Sequence, residues 1–263
     1  MKLKIYQIDA FTNEKFKGNP AAVIILEEWL EDSMMQSIAI ENNLSETAFA
    51  KKCDKNSYEI RWFSPITEID FCGHATLATA FVLFEENNLL NEVTFIAKAV
   101  GSLKVTKLDD DYIQMIFPNR KPRIVEYIPN ELISSLSIKP KDVLVNQQTY
   151  FVIYPSEEDV YNIEVNLEEI KKLAPLDVTI TAKSKTYDFV SRYFWPANGG
   201  IEDPVTGSMH TGAAPLWAER LNKNDLIAFQ ASSRGGHLKC IVNDNEVIIL
   251  GQAVLYLEGY IYI

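Results

Sequence analysis

The stretch "GGIEDPVTGSMH" at residues 199–210 places two acids and a proline between glycines, directly before a run of small apolar residues. Such a turn predicts the start of a helix. The stretch "TEIDFCGHAT" at residues 67–76 has the same character and also leads into a helix rich in small residues. Each stretch is therefore the counterpart of the other.

The match continues on both sides of these turns. The segment "RWFSP" at residues 61–65 corresponds to "RYFWP" at residues 192–196, and the helices align when Gly73 is placed on Gly207. An internal repeat of about half the chain predicts two similar domains that face each other. The alternative is a chance likeness between two joins from strand to helix.

The paired turns predict a site for a small anion. The first N–H groups of a helix lack internal acceptors and carry partial positive charge, so they can hold a carboxylate without a lysine. Gly73 and Gly207 let a ligand approach the backbone closely. Ser208 follows the second turn and adds a hydroxyl group. At each turn taken alone, the alternative is an ordinary helix cap.

Three residues are candidates for proton transfer. His74 opens the first helix, and a neutral imidazole can give or take a proton. Asp203 precedes the second turn and is expected to orient His74. Glu46 interrupts the apolar segment "LSETAFA" at residues 44–50, where burial would favour the acid form of a carboxyl group. The alternative for Glu46 is a solvated glutamate at the end of a strand.

Two further residues, Cys72 and Arg234, are weaker candidates for the site. Cys72 directly precedes Gly73, and a helix N-terminus can make a thiol nucleophilic, although a free cysteine is more often a small buried apolar side chain. Arg234 lies in "SSRGG" at residues 232–236. These glycines predict a bend that brings Arg234 to the rim of the site. The alternative for Arg234 is an exposed position in a hairpin.

Composition bounds the class of protein. The 263 residues are 47% hydrophobic and 23% charged, as in a soluble globular protein. No apolar run reaches the roughly 18 residues of a membrane span, and the N-terminus lacks the core of a signal peptide, so we expect a cytoplasmic protein. The net charge of −11 without a basic stripe argues against nucleic acid as a partner.

The cysteines and histidines predict neither a disulfide framework nor a metal site. Three cysteines are too few and odd in number for such a framework. His74, His210 and Asp203 show no recognised ligand spacing, and the sequence contains no CxxC or HExxH motif. The absence of GxGxxG and P-loop patterns likewise argues against a nucleotide cofactor.

The hydrophobic patterns predict strands and helices that repeat in each half. Among them are a helix over residues 27–43, a single strand over residues 143–155, and a helix that starts at Ser208, with His210 one turn into it.

Several motifs together resemble the phenazine-biosynthesis PhzF-like isomerases. They are "AFTNEKFKGNPAAVI", "NNLSETAFA", "RWFSPITEIDFCGHATLATA", "EDPVTGSMH", "QASSRGG" and "GQAVLYLEGYIYI", in family order over the whole chain. The resemblance implies an α+β fold of the diaminopimelate-epimerase type. Its two pseudo-symmetric domains are each a mostly antiparallel β-barrel around a central helix, and the site lies between them. The expected domains are residues 1–117 with the last strand, about 252–263, and residues 118–251.

The resemblance also implies the chemistry. The family isomerises small acids without a cofactor by moving a proton between carbons. Position by position, Glu46 would carry the proton, and His74 with Asp203 would polarise the substrate. The substrate carboxylate would be held by Ser45, Gly73, Gly207 and Ser208, with Arg234 at the rim. Family members also suggest a homodimer.

Two other functions stay open. The epimerases and racemases of this fold use two thiols, and Cys72 stands near the place of one, whereas the turn at residues 202–210 has no cysteine. The first alternative is therefore a one-thiol amino-acid epimerase or racemase. The second is a non-catalytic protein that binds a small acidic metabolite.

Overall fold

The computed structural model describes residues 1–263, with the side chain of residue 198 outside the description. Contacts between residues divide the chain into two compact units. Unit 1 consists of Met1–Ile116 and Leu250–Ile263, and unit 2 consists of Phe117–Ile249. These bounds lie one or two residues from the domain bounds expected from the sequence.

The first part of the chain alternates strands with two helices. In chain order these are β1 (Lys2–Ala10), β2 (Asn19–Leu26), α1 (Asp32–Asn42), β3 (Glu46–Asp54), β4 (Ser57–Phe63), β5 (Glu68–Ile69), α2 (Gly73–Glu86), β6 (Glu92–Ala97), β7 (Gly101–Lys107) and β8 (Ile113–Pro118). A 3₁₀ turn at Asp109–Asp111 joins the last two strands.

The rest of the chain repeats this alternation. Its elements are β9 (Arg123–Ile124), α3 (Asn130–Ser134), β10 (Asp142–Val145), β11 (Thr149–Ile153), α4 (Glu157–Asn162), α5 (Leu167–Lys171), β12 (Asp177–Lys183), β13 (Phe189–Phe194), α6 (His210–Leu221), β14 (Asp225–Gln230), β15 (Gly236–Val242), β16 (Glu246–Gly251) and β17 (Ala253–Tyr262). The last strand pairs with β1 and so belongs to unit 1.

The strand pairings confirm the internal repeat. In unit 1, β1 and β2 are antiparallel, β2 and β3 parallel, β3 and β4 antiparallel, β4 and β6 parallel, and β6 and β7 antiparallel. In unit 2 the same series of orientations runs through β10, β11, β12, β13, β14 and β15. The fold is thus a mixed α and β fold in which one strand order occurs twice.

Each unit buries one helix at the corresponding place in this order. Helix α2 follows β4 and β5, and 11 of its 14 residues are buried. Helix α6 follows β13, and 9 of its 12 residues are buried. Eight of these 20 buried residues are alanine or glycine, and such small side chains let strands approach a helix from every side. Helix α2 begins with the predicted site residues Gly73 and His74, and the turn directly before α6 contains Gly207 and Ser208.

Three elements differ from the sequence prediction, and one of them is helix α6, which begins at His210 instead of Ser208. Helix α1 begins at Asp32 instead of residue 27, because Trp29 and Leu30 pack against the core of unit 1 from non-helical chain. The single strand predicted over residues 143–155 is a hairpin of β10 and β11. There the side-chain oxygen of Asn146 accepts hydrogen bonds from the N–H groups of Gln148 and Thr149, which turns the chain.

No helix among the described residues combines the length and apolar character that a membrane crossing needs.

Candidate active site

Glu46 is a buried carboxylate at the start of β3. The parallel pairing of β2 and β3 places it opposite Ala21, and its side chain is only 5% exposed. Its Oε2 atom lies 3.0 Å from Nε2 of His74. The same oxygen accepts no well-aligned hydrogen bond from the described residues. Glu46 is therefore not a solvated glutamate, and one of its oxygens keeps acceptor capacity for a ligand or a proton.

His74 joins Glu46 to a residue that the sequence prediction missed. Asn19, the fully buried first residue of β2, places its side-chain nitrogen 3.1 Å from Nδ1 of His74. With the amide in this orientation, Asn19 donates and Nδ1 accepts, so the imidazole proton sits on Nε2, the nitrogen that lies 3.0 Å from Glu46. In this orientation Asn19 favours the tautomer of His74 that carries its proton on Nε2.

Cys72 also lies against the imidazole of His74. Its Sγ atom is 3.4 Å from Nδ1 and 3.9 Å from Nε2 of His74. Cys72 is the N-cap residue of α2 but makes no capping hydrogen bond with its side chain, so the thiol is directed to His74. Unit 1 therefore brings together the predicted residues Glu46, Cys72, Gly73 and His74, and half-buried Ser45 adjoins Glu46 in the chain.

In unit 2, Asp203 lies in a turn that Gln230 fixes. Its carboxylate accepts a hydrogen bond from the hydroxyl of Thr206. Gln230, fully buried, accepts from the N–H of Thr206 and donates to the carbonyl of Asp203, both at 2.8 Å. The side-chain amide of Gln230 thus supplies hydrogen-bond partners to two backbone groups of the turn. Gln230 begins the motif "QASSRGG", but nothing in the sequence indicated that its amide holds this turn.

Ser208 belongs to a chain of hydrogen bonds within unit 2. Gln148 donates to the hydroxyl groups of Ser208 (2.9 Å) and Tyr193 (3.0 Å), and Tyr193 donates to Asp177 at 2.6 Å. Burial raises the pKa of Asp177 to about 6, although the hydrogen bond from Tyr193 acts in the opposite direction. Gly207 precedes Ser208, and its carbonyl accepts from the N–H of His210.

Arg234 is half-buried in the loop before β15, where Gly235 adopts a φ of +69°. Ser232 donates to the carbonyl of Pro204 at 2.8 Å and accepts from the N–H of Gly235 at 3.1 Å. The bend predicted from "SSRGG" is therefore present. Ser232 attaches it to the turn that contains Asp203.

His210 is the first residue of α6 and not one turn into the helix, because residues 207–209 form the turn that precedes it. It is fully buried, and Nδ1 donates to the carbonyl of Thr206 at 2.9 Å. Burial lowers the pKa of His210 to about 4. The neutral ring packs near Phe189. These contacts are those of a histidine that packs in the core.

This burial predicts a pH dependence of stability. Between pH 6.5 and about 4 the unfolded chain binds a proton at His210 and the folded chain does not, so the free energy of unfolding falls as the pH falls. Lowering the pH from 7 to 5 should cost about 2 kcal/mol through this residue. Urea unfolding measures this loss of unfolding free energy between pH 7 and pH 5. In His210→Gln the loss should be smaller than in the wild-type protein by about this amount.

Asp177 also titrates in this range, because its pKa is raised to about 6 in the folded protein. Between pH 3.8 and about 6, its protonation raises the free energy of unfolding as the pH falls, which opposes the effect of His210. Only the difference between the variant and the wild-type protein isolates His210. An equal pH effect in His210→Gln and the wild-type protein would show that His210 is not the buried neutral base.

Comparison with known proteins gives a consistent picture. The family model of phenazine biosynthesis-like proteins, PhzC-PhzF, matches residues 8–259. An uncharacterized isomerase of Halalkalibacterium halodurans is 44% identical over 263 residues, which cover 98% of both chains. The crystal structure of a PhzF family protein of Enterococcus faecalis, also 44% identical, superposes with a TM-score of 0.95 over 100% of both chains.

A more distant structure extends the likeness in fold alone. A predicted epimerase of Pseudomonas aeruginosa is 20% identical and has a TM-score of 0.71 over 98% of this chain and 99% of its own. The family match and the relatives that are 44% identical confirm the sequence resemblance to PhzF-like proteins. The chain belongs to the PhzC-PhzF family of phenazine biosynthesis-like proteins, a family that includes isomerases.

Proposed function

We propose that the protein is an isomerase that moves a proton between two carbons of a small carboxylate substrate, with Glu46 as the acid and base and without a cofactor. The observation that carries this proposal is the buried Glu46 carboxylate beside His74, with one oxygen that accepts no aligned hydrogen bond among the described residues. A buried carboxylate without full compensation is costly, and such groups are typical of catalytic sites.

The proposed reaction balances within the substrate and Glu46. The carboxylate removes a proton from one carbon, and the electron pair of that C–H bond moves into the conjugated system of the substrate. While it holds the proton, the carboxyl group of Glu46 exchanges it with solvent. It then delivers a proton to another carbon, and the double bonds are shifted. Proton transfer by a positioned side chain typically contributes about 10²–10⁴-fold to a rate.

Asn19 and His74 position the proton carrier. Because Asn19 donates to Nδ1, the neutral ring carries its proton on Nε2, 3.0 Å from Glu46 Oε2. A neutral ring at this distance weakens the carboxylate as a base less than an imidazolium ion would. In the proposal, His74 also polarises the substrate, with Asp203 of unit 2 in the supporting role predicted from the sequence.

The substrate carboxylate is proposed to bind at helix N-termini. If the strands of each unit close into the predicted barrel, only the end of the central helix is open to a ligand. At α2 this end offers the N–H groups that begin at Gly73, with Ser45 nearby in the chain. In unit 2, Gly207, Ser208 and Arg234 are the proposed carboxylate ligands.

The experiment that tests this function is a screen of small unsaturated and cyclic carboxylic acids in D₂O, followed by proton NMR. A true substrate should take up deuterium from the solvent at a carbon atom. Its product should be an isomer of the substrate, with the same mass apart from the deuterium. A ligand that raises the melting temperature but neither exchanges nor isomerises would support a non-catalytic binder.

One observation favours a second function. The Cys72 thiol lies 3.4 Å from His74 Nδ1, and an imidazole can activate a thiol as a base. The alternative is therefore an amino-acid epimerase or racemase that depends on Cys72.

Alkylation by iodoacetamide separates the two functions. Cys72 is only 6% exposed, so it should react more slowly than exposed Cys53. We expect Cys72→Ser to keep most of the exchange activity, because Glu46 carries the proton. The epimerase would be established instead if Cys72→Ser lost all activity. In that case alkylation should also inactivate Cys53→Ser, and bound substrate should protect Cys53→Ser from this inactivation.

A further inference from the structure

We infer that Glu46, Cys72 and His74 also form a binding site for a soft divalent cation, of which Zn²⁺ fits the donors best. A carboxylate oxygen, a thiol sulfur and an imidazole nitrogen from these residues all lie within 4.8 Å of one another. All three side chains are buried. The three donors thus form a compact cluster in unit 1.

The distances suit a tetrahedral ion. With bonds of about 2.0–2.3 Å to Zn²⁺, two ligand atoms of a tetrahedral site lie about 3.3–3.6 Å apart. In the protein, Nε2 of His74 is 3.0 Å from Oε2 of Glu46 and 3.9 Å from Sγ of Cys72. Small rotations of the side chains therefore bring all three atoms to bonding distance.

The chemistry of the set selects the metal. Thiolate with imidazole and carboxylate is a combination that prefers Zn²⁺ over the hard ions Mg²⁺ and Ca²⁺, which take oxygen ligands. Three protein ligands leave the fourth position for water or substrate. The Oε2 atom of Glu46, which accepts no aligned hydrogen bond from the described residues, would gain a partner.

Asn19 can support the metal-bound form as well. The oxygen and nitrogen of an asparagine amide exchange places by a rotation. After that rotation Asn19 would accept a hydrogen bond from Nδ1–H of His74, which leaves Nε2 as the metal ligand. A hydrogen bond of this kind behind a ligand histidine is the usual arrangement in zinc sites.

Metal binding has a consequence for activity, and this step rests on the proposed function. A Zn²⁺ ion would occupy the Glu46 oxygen that takes the proton and the His74 nitrogen that faces it. Zn²⁺ should therefore inhibit the isomerase in competition with substrate, and a chelator should restore the rate.

The test is a titration of the reduced, metal-free protein with Zn²⁺ in competition with a chromophoric chelator. One ion per chain is expected, and Cys72→Ser should weaken binding at least about tenfold. The controls are Cys53→Ser and Cys240→Ala, whose cysteines lie outside the cluster and should leave binding unchanged. Equal affinity of Cys72→Ser and wild type overturns the proposal.

A second measurement keeps all three proposed ligands in place. Co²⁺ bound to the Cys53→Ser protein should give the near-ultraviolet charge-transfer band of a cobalt–thiolate bond. A cobalt complex without that band overturns the site. Both metal-binding measurements are made without substrate. The isomerase is tested separately, by hydrogen exchange with the chelator-treated enzyme. The metal site and the isomerase can therefore each fail without the other.

Discussion

Replacing Glu46 with glutamine should lower the rate of hydrogen exchange at the substrate carbon by about 10²–10⁴-fold. The amide has nearly the shape of the carboxyl group but cannot accept a proton at neutral pH. Because Glu46 is buried against His74, the substitution keeps a polar partner at 3.0 Å and should leave the fold intact. NMR measurement of exchange in D₂O, with circular dichroism as a folding check, gives both quantities.

The matched control is Glu41→Gln. Glu41 lies on helix α1 in the same unit and is exposed, so its loss removes one negative charge without touching the site. Its exchange rate should stay within about twofold of wild type, since exposed substitutions have small effects. A Glu46→Gln enzyme as active as the Glu41→Gln enzyme would exclude Glu46 as the proton carrier.

The second large effect is expected at Gly18, which precedes Asn19. Gly18 has a φ of +63°, and a Cβ atom there would lie 2.1 Å from the carbonyl oxygen of Ala10. Backbone atoms cannot move aside as a flexible side chain can. Gly18→Ala should therefore cost about 2–5 kcal/mol of unfolding free energy, from overpacking and from the left-handed backbone together. Asn19 would shift with it and lose its hold on His74.

Gly101→Ala is the control for this prediction. Gly101 also has a positive φ, +78°, but no atom would lie within 4 Å of its Cβ. The cost should be about 1 kcal/mol, from the backbone conformation alone. Urea unfolding of both variants separates the two contributions. Equal losses would mean that the contact with Ala10 is absent.

The repeat could be predicted from sequence because its signals are local. The turns around Gly73 and Gly207 and the small residues after them lie within short segments. The order of strands around them follows from hydrophobic alternation. The two equivalent series of parallel and antiparallel pairings agree with that prediction.

The contacts of the site were harder to predict because they join distant segments. Asn19 and His74 are 55 residues apart. The segment Gly18-Asn19-Pro20 is typical of a turn, and nothing in it shows that the asparagine amide contacts an imidazole. Glu46 could equally have been solvated, and only its pairing position opposite Ala21 on a buried strand decides that it is not. Local rules likewise missed the hairpin at Asn146, since an alternating apolar pattern does not reveal a side chain that turns the chain.

The central claim is that Glu46, and not Cys72, moves the proton. It is tested most directly by measuring solvent deuterium incorporation into one substrate by Glu46→Gln and Cys72→Ser side by side. The account predicts that incorporation collapses in Glu46→Gln and persists in Cys72→Ser. Persistent incorporation by Glu46→Gln together with its loss in Cys72→Ser would contradict it.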